Sequence, residues 1–564
     1  MPYRAPIADF RFLLDVVGFA QVAATDRFAE ASPDTVEPIL AEAGKLCEGL
    51  APLNRAGDKH PARLENGVVR TSPGFAEGYR AIADGGWVGM AASPEFGGMG
   101  LPISVATCVN DMMGSACLAL QLNPLMTQGQ IEALEHHASD TLKALYIPKL
   151  VSGEWCGTMN LTEPQAGSDV GALRSKAEPL GDGTYAITGQ KIFITWGDND
   201  FSANVCHLVL ARLPDAAPGT KGISLFMVPK LIPDENGVPG RRNSLKVVSL
   251  EHKLGLHGSP TAVMQYDGAQ GWLVGEPHKG MAAMFTMMNN ARLGVGMQGV
   301  AVAEAAFQQA LAFAMERKQG TTPLGAGAII DHADVRRMLA QMKAEVFAAR
   351  AIGLACAVAI DMGRATGSPE WQARAALLTP IAKAYGTDVG NEVAHLGVQV
   401  HGGMGFIEET GAAQFARDVR VTPIYEGTNG IQAMDLVARK MMDKGEAAYR
   451  LIDEVQADAE AARAAHPDPA GAVWTAAETL REATENLVAQ GLNDRFAGAV
   501  PYLRAFARVL GGHFHLKAAL ADPAREPLAR FMVKRMLPEH APLLAQVREG
   551  AAGVYALTPE ALLA

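Results

Sequence analysis

Three short segments combine residue types that can do chemistry. Ile424-Tyr425-Glu426-Gly427-Thr428-Asn429-Gly430-Ile431-Gln432 places an acidic side chain directly before a glycine and just ahead of an amphipathic stretch through Met434, Leu436 and Val437. A carboxylate there can remove a proton while an accessible backbone N–H holds an oxyanion. Taken alone, Glu-Gly-Thr reads more simply as a solvated glutamate before a Thr/Asn helix cap. The run from Thr158 through Leu161, Thr162, Glu163 and Ser168 to Asp169 is a loop of small polar residues. It can offer N–H groups and hydroxyls to a flat, oxygen-rich ligand, or can be a capped turn starting at Ser168 or Asp169. His401-Gly402-Gly403-Met404-Gly405 follows a helical run, and its glycines permit positive φ and close approach of backbone to a ligand. A helix C-cap accounts for one of them.

Positioning these segments falls to three kinds of element. Residues 33–157 read as helical, rich in Ala, Leu and Met, with a Pro/Gly loop at 94–102. At about residue 158 the pattern turns to short β runs, Tyr185 to Thr195, Val205 to Leu213 and Gly222 to Val228, ending near Gly275. Helical periodicity returns at Met281 and persists to about Met442. A turn at His466-Pro467-Asp468-Pro469 then precedes a stretch in which Val473, Leu480 and Leu487 recur at helical spacing. The reading is an α+β protein: an N-terminal helical domain over 1–157, a middle β domain over 158–276, a C-terminal helical bundle over 277–445 and an additional helical domain over 446–564.

With 564 residues, 49% hydrophobic and 19% charged, the composition is that of a compact soluble chain long enough for several cores. The net charge of −11 disfavours nucleic acid and anionic lipid as partners. The six cysteines show no CxxC pair and no spacing that would hold a metal, so they read as buried thiols in a reducing cytoplasm. Charged residues interrupt the N-terminal apolar pattern, and the Ala351–Ile360 run is too short to span a bilayer, so no membrane anchor is expected.

In this order and setting the segments resemble the acyl-CoA dehydrogenase family. The resemblance covers about residues 80–440 and rests on Leu161–Asp169, Gly189–Thr195, Lys253–Thr261, Glu316–Gln319, Gln399–Gly405 and Tyr425–Thr428. It implies FAD held between the β domain and the C-terminal helices. Met159, Leu161, Thr162, Ser168, Phe193, Ile194, Thr195, Thr428 and Gly430 would line the flavin. Arg317, Gln319, Gln399, Gly402 and Gly403 would reach the FAD of a neighbouring subunit in a homodimer or a dimer of dimers. Ser168, Asn289, Arg292 and Gly427 would touch the acyl-CoA, and Glu426 would be the catalytic base. Some family members supply the base from the position before the CoA arginine, which here is Ala291. Two departures stand out: Gln319-Gly320-Thr321-Thr322 lacks the aromatic residue usual after the arginine, and His332-Ala333 replaces a polar pair.

The implied reaction is α,β-dehydrogenation of an acyl-CoA to a trans-2-enoyl-CoA, with electrons passed to an electron-transferring flavoprotein. Chain length and the N-terminal Tyr3–Phe12 extension resemble a long bacterial branch, which implies 3-methylthiopropionyl-CoA as substrate. The alternatives are another short or medium acyl-CoA, or an acyl-CoA oxidase. The last domain carries none of the motifs and is expected to lie outside the chemistry.

Overall fold

The computed structural model describes residues 3–322, 324 and 327–564, and the backbone alone at Asn289 and Asn290. Two compact units result. One comprises Lys45–Leu101 and Ala116–Ala291, the other Met1–Gly44, Pro102–Ser115 and Arg292–Ala564. The protein is α+β, with its main sheet confined to the first of these units.

In that unit the β-branched and aromatic runs pair into a closed ring. Thr261–Val274 pairs with Tyr185–Thr195, which pairs with Lys176–Pro179. The ring continues through Asn204–Arg212 and Ile223–Pro229 and returns to Thr261–Val274. Trp155–Asn160 adds in parallel to Asn204–Arg212, and Leu245–Leu250 adds antiparallel to Thr261–Val274. Ile187, Val209, Phe226, Val228, Met264 and Tyr266 fill the interior. Ring closure removes most of the unpaired edge that an open sheet exposes. A small hairpin, Arg63–Glu65 with Val68–Arg70, interrupts the region expected to be helical. Its turn is Asn66-Gly67, both with positive φ (51° and 77°), the geometry that Asn-Gly favours.

The other unit is helical. The helices Ala333–Thr366 and Pro369–His401 pack along their Ala-rich faces. Pro369–His401 also approaches the helix Gly280–Glu316 so closely that a Cβ on Gly299 or Gly386 would collide with the facing backbone. This glycine seam fixes the depth at which Pro369–His401 sits, and with it the side chains described below. Buried Arg350 bridges Asp111 (2.8 Å) and Glu304 (2.8 Å). Asp9 near the N-terminus accepts from Lys343 (2.7 Å) and Arg525 (2.8 Å).

Ile103–His137 and Ala333–Thr366 are each long and apolar enough, by length and composition, to cross a membrane. In both, 94% of the apolar window is buried within the protein, the signature of core helices. All six cysteines are free and buried.

Candidate active site

Glu426 lies on a tight turn between Val419 and the helix Asn429–Val437. The Asn429 N–H donates to Pro423 O (3.0 Å) and closes the turn, while Thr428 caps the helix by accepting from the Ile431 N–H (3.3 Å). To fit, Glu426 and Gly427 both take left-handed backbone, with φ of 56° and 83°. For glutamate that conformation costs about 1–2 kcal/mol, and a non-glycine residue held there marks a site where the surroundings over-determine the backbone. A Cβ at Gly427 would in addition meet Gln432 Nε2 at 2.7 Å. That amide donates to the carbonyls of Glu426 and Gly427 (both 3.3 Å), so it clamps the turn. Among the described residues, the N–H groups of Glu426, Gly427 and Thr428 have no acceptor within the chain. Three free donors beside a carboxylate are what a developing oxyanion needs.

The glutamate is not the solvated residue that its tripeptide alone suggests. Burial pushes its carboxyl up to about 7, against the opposing pull of Arg292 and Lys383. A base with a pKa near neutrality combines a deprotonated fraction with strong proton affinity at working pH. Arg292, itself lowered by burial, faces Asp435 at 3.7 Å, and its Nε has no hydrogen-bond partner among the described residues. A buried guanidinium with a spare donor can take an anionic or carbonyl group of a ligand. Lys383, fully buried, donates to Thr422 O (3.0 Å) and Asn429 Oδ1 (2.9 Å). Ala291 is buried and offers no second base.

In the β-containing unit, the Leu161–Asp169 loop is organised by an ion pair that its sequence did not announce. Glu163 accepts from Lys191 Nζ (2.8 Å), the Arg174 N–H (2.7 Å), and the Ser175 N–H (3.0 Å) and hydroxyl (2.6 Å). Burial opposes its charge, but Lys191 with these donors holds the carboxyl down at about 2. Lys191 also donates to Leu161 O (3.0 Å), tying both ends of the loop to the strand Tyr185–Thr195. Because the folded pKa lies below the ordinary 4.5, the stabilisation is present above that value and is lost as pH falls toward 2. Glu163→Gln is expected to leave buried Lys191 unpaired, at a cost of about 3–5 kcal/mol. Thermal melting and flavin retention after gel filtration check this: an unchanged melt with full flavin would contradict it.

On the same unit Phe193 is 60% exposed at φ 59°, between buried Lys191 and Trp196. An aromatic ring held out to solvent on strained backbone is a platform for a flat ligand. Ile194 and Leu161 are buried, Met159 and Thr195 half-buried. The hydroxyls of Thr162, Ser168 and Thr195 have no partner within the chain among the described residues. Below them His207 bonds Thr158 Oγ1 (2.6 Å) and Tyr266 donates to Asn160 (2.9 Å), which stiffens the strand leading into the loop. A single 3-10 turn, Val170–Ala172, follows with Asp169 at its start, but the Asp169 side chain makes no capping hydrogen bond there.

Arg317, Gln319, Gln399, Gly402 and Gly403 are exposed in the helical unit, with Gly402 at φ 60° ending the helix Pro369–His401. His332, which replaces a residue of the polar pair more typical of the resembling family, bonds Gln319 O through its Nε2 (2.7 Å). Gly430 lies in the first turn of the helix after Glu426. The side chain of Asn289 lies outside the described residues. Lys383, Asn429 and Gln432 were missed. A lysine inside the apolar run Leu377–Tyr385 was the available signal for the first of them.

Family models match four consecutive segments: the acyl-CoA dehydrogenase N-terminal domain at 59–154, the middle domain at 158–269, the C-terminal domain at 278–442 and an acetyl-CoA dehydrogenase C-terminal-like domain at 451–558. The chain belongs to the acyl-CoA dehydrogenase family. It is an FAD-dependent enzyme acting on an acyl-CoA. The exposed aromatic platform and unpartnered hydroxyls fit the flat, polar-edged flavin. A 3-methylmercaptopropionyl-CoA dehydrogenase from Ruegeria pomeroyi is 46% identical over 540 residues, covering 93% of this chain and 92% of that protein. A broad-specificity linear acyl-CoA dehydrogenase from Mycobacterium tuberculosis is 35% identical over 80% of this chain and 78% of its own. In fold, the chain matches Caenorhabditis elegans ACDH-11 in complex with C11-CoA, with a TM-score of 0.79, 20% identity, and coverage of 95% of this chain and 92% of that one.

Proposed function

We propose that Glu426 removes the α-proton of the acyl-CoA and that the substrate is 3-methylthiopropionyl-CoA. The observation that carries the first claim is a desolvated carboxylate with a pKa near 7, on a turn with three free N–H donors and no rival acid at Ala291. The thioester carbonyl would accept from the Glu426 N–H, which stabilises enolate charge and brings the α-proton within reach of the carboxylate on the same residue. Each such donor contributes about 10² to 10³ in rate. Burial of the carboxyl keeps the base strong, and Arg292, Gly427, Ser168 and Asn289 are the proposed contacts of the CoA. FAD would lie against Met159–Ser168, Phe193–Thr195, Thr428 and Gly430. The chemistry available from bound FAD is acceptance of the β-hydride, which makes the product a trans-2-enoyl-CoA.

Exposed Arg317, Gln319, Gln399, Gly402 and Gly403 suit contact with the FAD of a second copy, in a homodimer or a dimer of dimers. An electron-transferring flavoprotein is the proposed acceptor and the cytoplasm the proposed location. The substrate claim is supported by the 46% identity to the Ruegeria protein over more than nine-tenths of both chains. Steady-state rates with 3-methylthiopropionyl-CoA, butyryl-CoA and longer linear acyl-CoAs test it. The thioether substrate is expected to lead in kcat/KM by about 10-fold or more, the discrimination that a shape-matched apolar pocket attains. A lead for butyryl-CoA would overturn the choice.

A further inference from the structure

The turn that carries Glu426 is stapled by one buried cation. Lys383 projects from the helix Pro369–His401 and donates to Thr422 O (3.0 Å) on one side of the turn and to Asn429 Oδ1 (2.9 Å) on the other. Those two acceptors bracket residues 423–428, the segment closed by the Asn429 N–H to Pro423 O bond. Asn429 cannot rotate away, because its amide donates to Asp388 Oδ1 (2.7 Å) and Thr387 Oγ1 (2.9 Å) on the same helix. Lys383 has no exposed surface. A lone ammonium in such a place is costly unless it is hydrogen-bonded and faces opposite charge. The charged groups around it are Glu426, Asp388 and Arg292, and it acts on Glu426 as a favourable charge.

We infer that Lys383 is a positioning residue for the catalytic base: it holds the left-handed turn in register and favours the ionised form of the Glu426 carboxylate. This rests on Glu426 being the base. With the ammonium gone, the turn loses the bond that ties Thr422 to the helix Pro369–His401 and one of the bonds that hold Asn429, and the carboxylate loses a neighbouring positive charge. Its proton is then held more tightly, so the acid limb of the kcat–pH profile moves to higher pH.

The test compares Lys383→Met, Lys383→Arg and Glu426→Gln as flavin-loaded enzymes with a saturating acyl-CoA. Lys383→Met keeps the volume and apolar stem and is expected to lower kcat by about 10²-fold, the scale of a misplaced reacting group, with KM little changed and the acid limb raised. Lys383→Arg is expected to restore the limb and much of kcat. An unchanged kcat and limb with only a lower melting temperature would reduce Lys383 to a structural residue and overturn the inference. If Lys383→Met does not fold, Asn429→Ala removes one anchor while leaving the charge; it should lower kcat without raising the limb, and an unaltered kcat would overturn the inference. A fully active Glu426→Gln would sink the base itself. An inactive one beside a normal Lys383→Met would sink only the positioning role.

Discussion

Glu426→Gln is expected to lower kcat by about 10³-fold or more while leaving KM, flavin binding and the melting temperature near those of the wild type. The glutamine keeps the backbone N–H and the shape of the turn but has no lone pair basic enough to take an α-proton. General-base catalysis contributes about 10² to 10⁴, and buried Ala291 supplies no replacement. Because the donors and Arg292 remain, the loss belongs in kcat. In the wild type the acid limb of kcat/KM should fall near pH 7, since Glu426 must be ionised to act and burial raises it to about 7. Steady-state kinetics across pH check both statements. A variant with near wild-type kcat would contradict the assignment.

Removal of residues 446–564 is the second large effect, and the structure changes what should be expected of it. The helix Ala499–Ala521 packs on Ala333–Thr366 and on the helix that follows the Glu426 turn. From it Arg508 reaches buried Glu345 (2.7 Å) and the Tyr385 hydroxyl (2.8 Å), and Arg504 reaches Glu392 (2.5 Å). Tyr385 and Glu392 lie on the same helix as Lys383 and Asp388. Truncation would remove the cation that faces Glu345, leaving the Tyr385 hydroxyl as its donor, and would open to water the apolar faces that Ala499–Ala521 covers, at a cost of about 1.5–3 kcal/mol for each large side chain exposed. A few such losses are a large share of a typical folding stability of about 5–15 kcal/mol. The truncated chain is expected to be insoluble or to melt far below the full one without flavin. Soluble yield, melting temperature and flavin content decide this, and a truncated protein with the full-length melt would contradict it.

Local features were legible in the sequence where local chemistry dictates them. The strand expected at Tyr185 to Thr195 is found with those limits, and the Thr428 cap stands where the Thr-Asn pair indicated it. The Asn66-Gly67 turn is equally legible in type, but it lies within a stretch whose overall composition is helical. Interactions between residues far apart in the chain were not legible. The pairing of Glu163 with Lys191, the Lys383 staple and the grip of Arg508 each depend on a partner tens to more than a hundred residues away, and no periodicity records them. The state of Glu426 is the clearest case. Its neighbours in sequence describe a solvated residue, whereas its neighbours in space half-bury it, raise its carboxyl to about 7 and set two cations, Arg292 and Lys383, against that shift.

The most direct measurement of the central claim is anaerobic rapid mixing of the flavin-loaded protein, wild type and Glu426→Gln, with 3-methylthiopropionyl-CoA, followed by flavin absorbance. The wild type is expected to bleach within its turnover time and yield the enoyl-CoA, while Glu426→Gln stays yellow with the substrate and bleaches with dithionite. A wild-type flavin that remains oxidised with this and every other acyl-CoA, or a glutamine variant that bleaches as fast as the wild type, would contradict it.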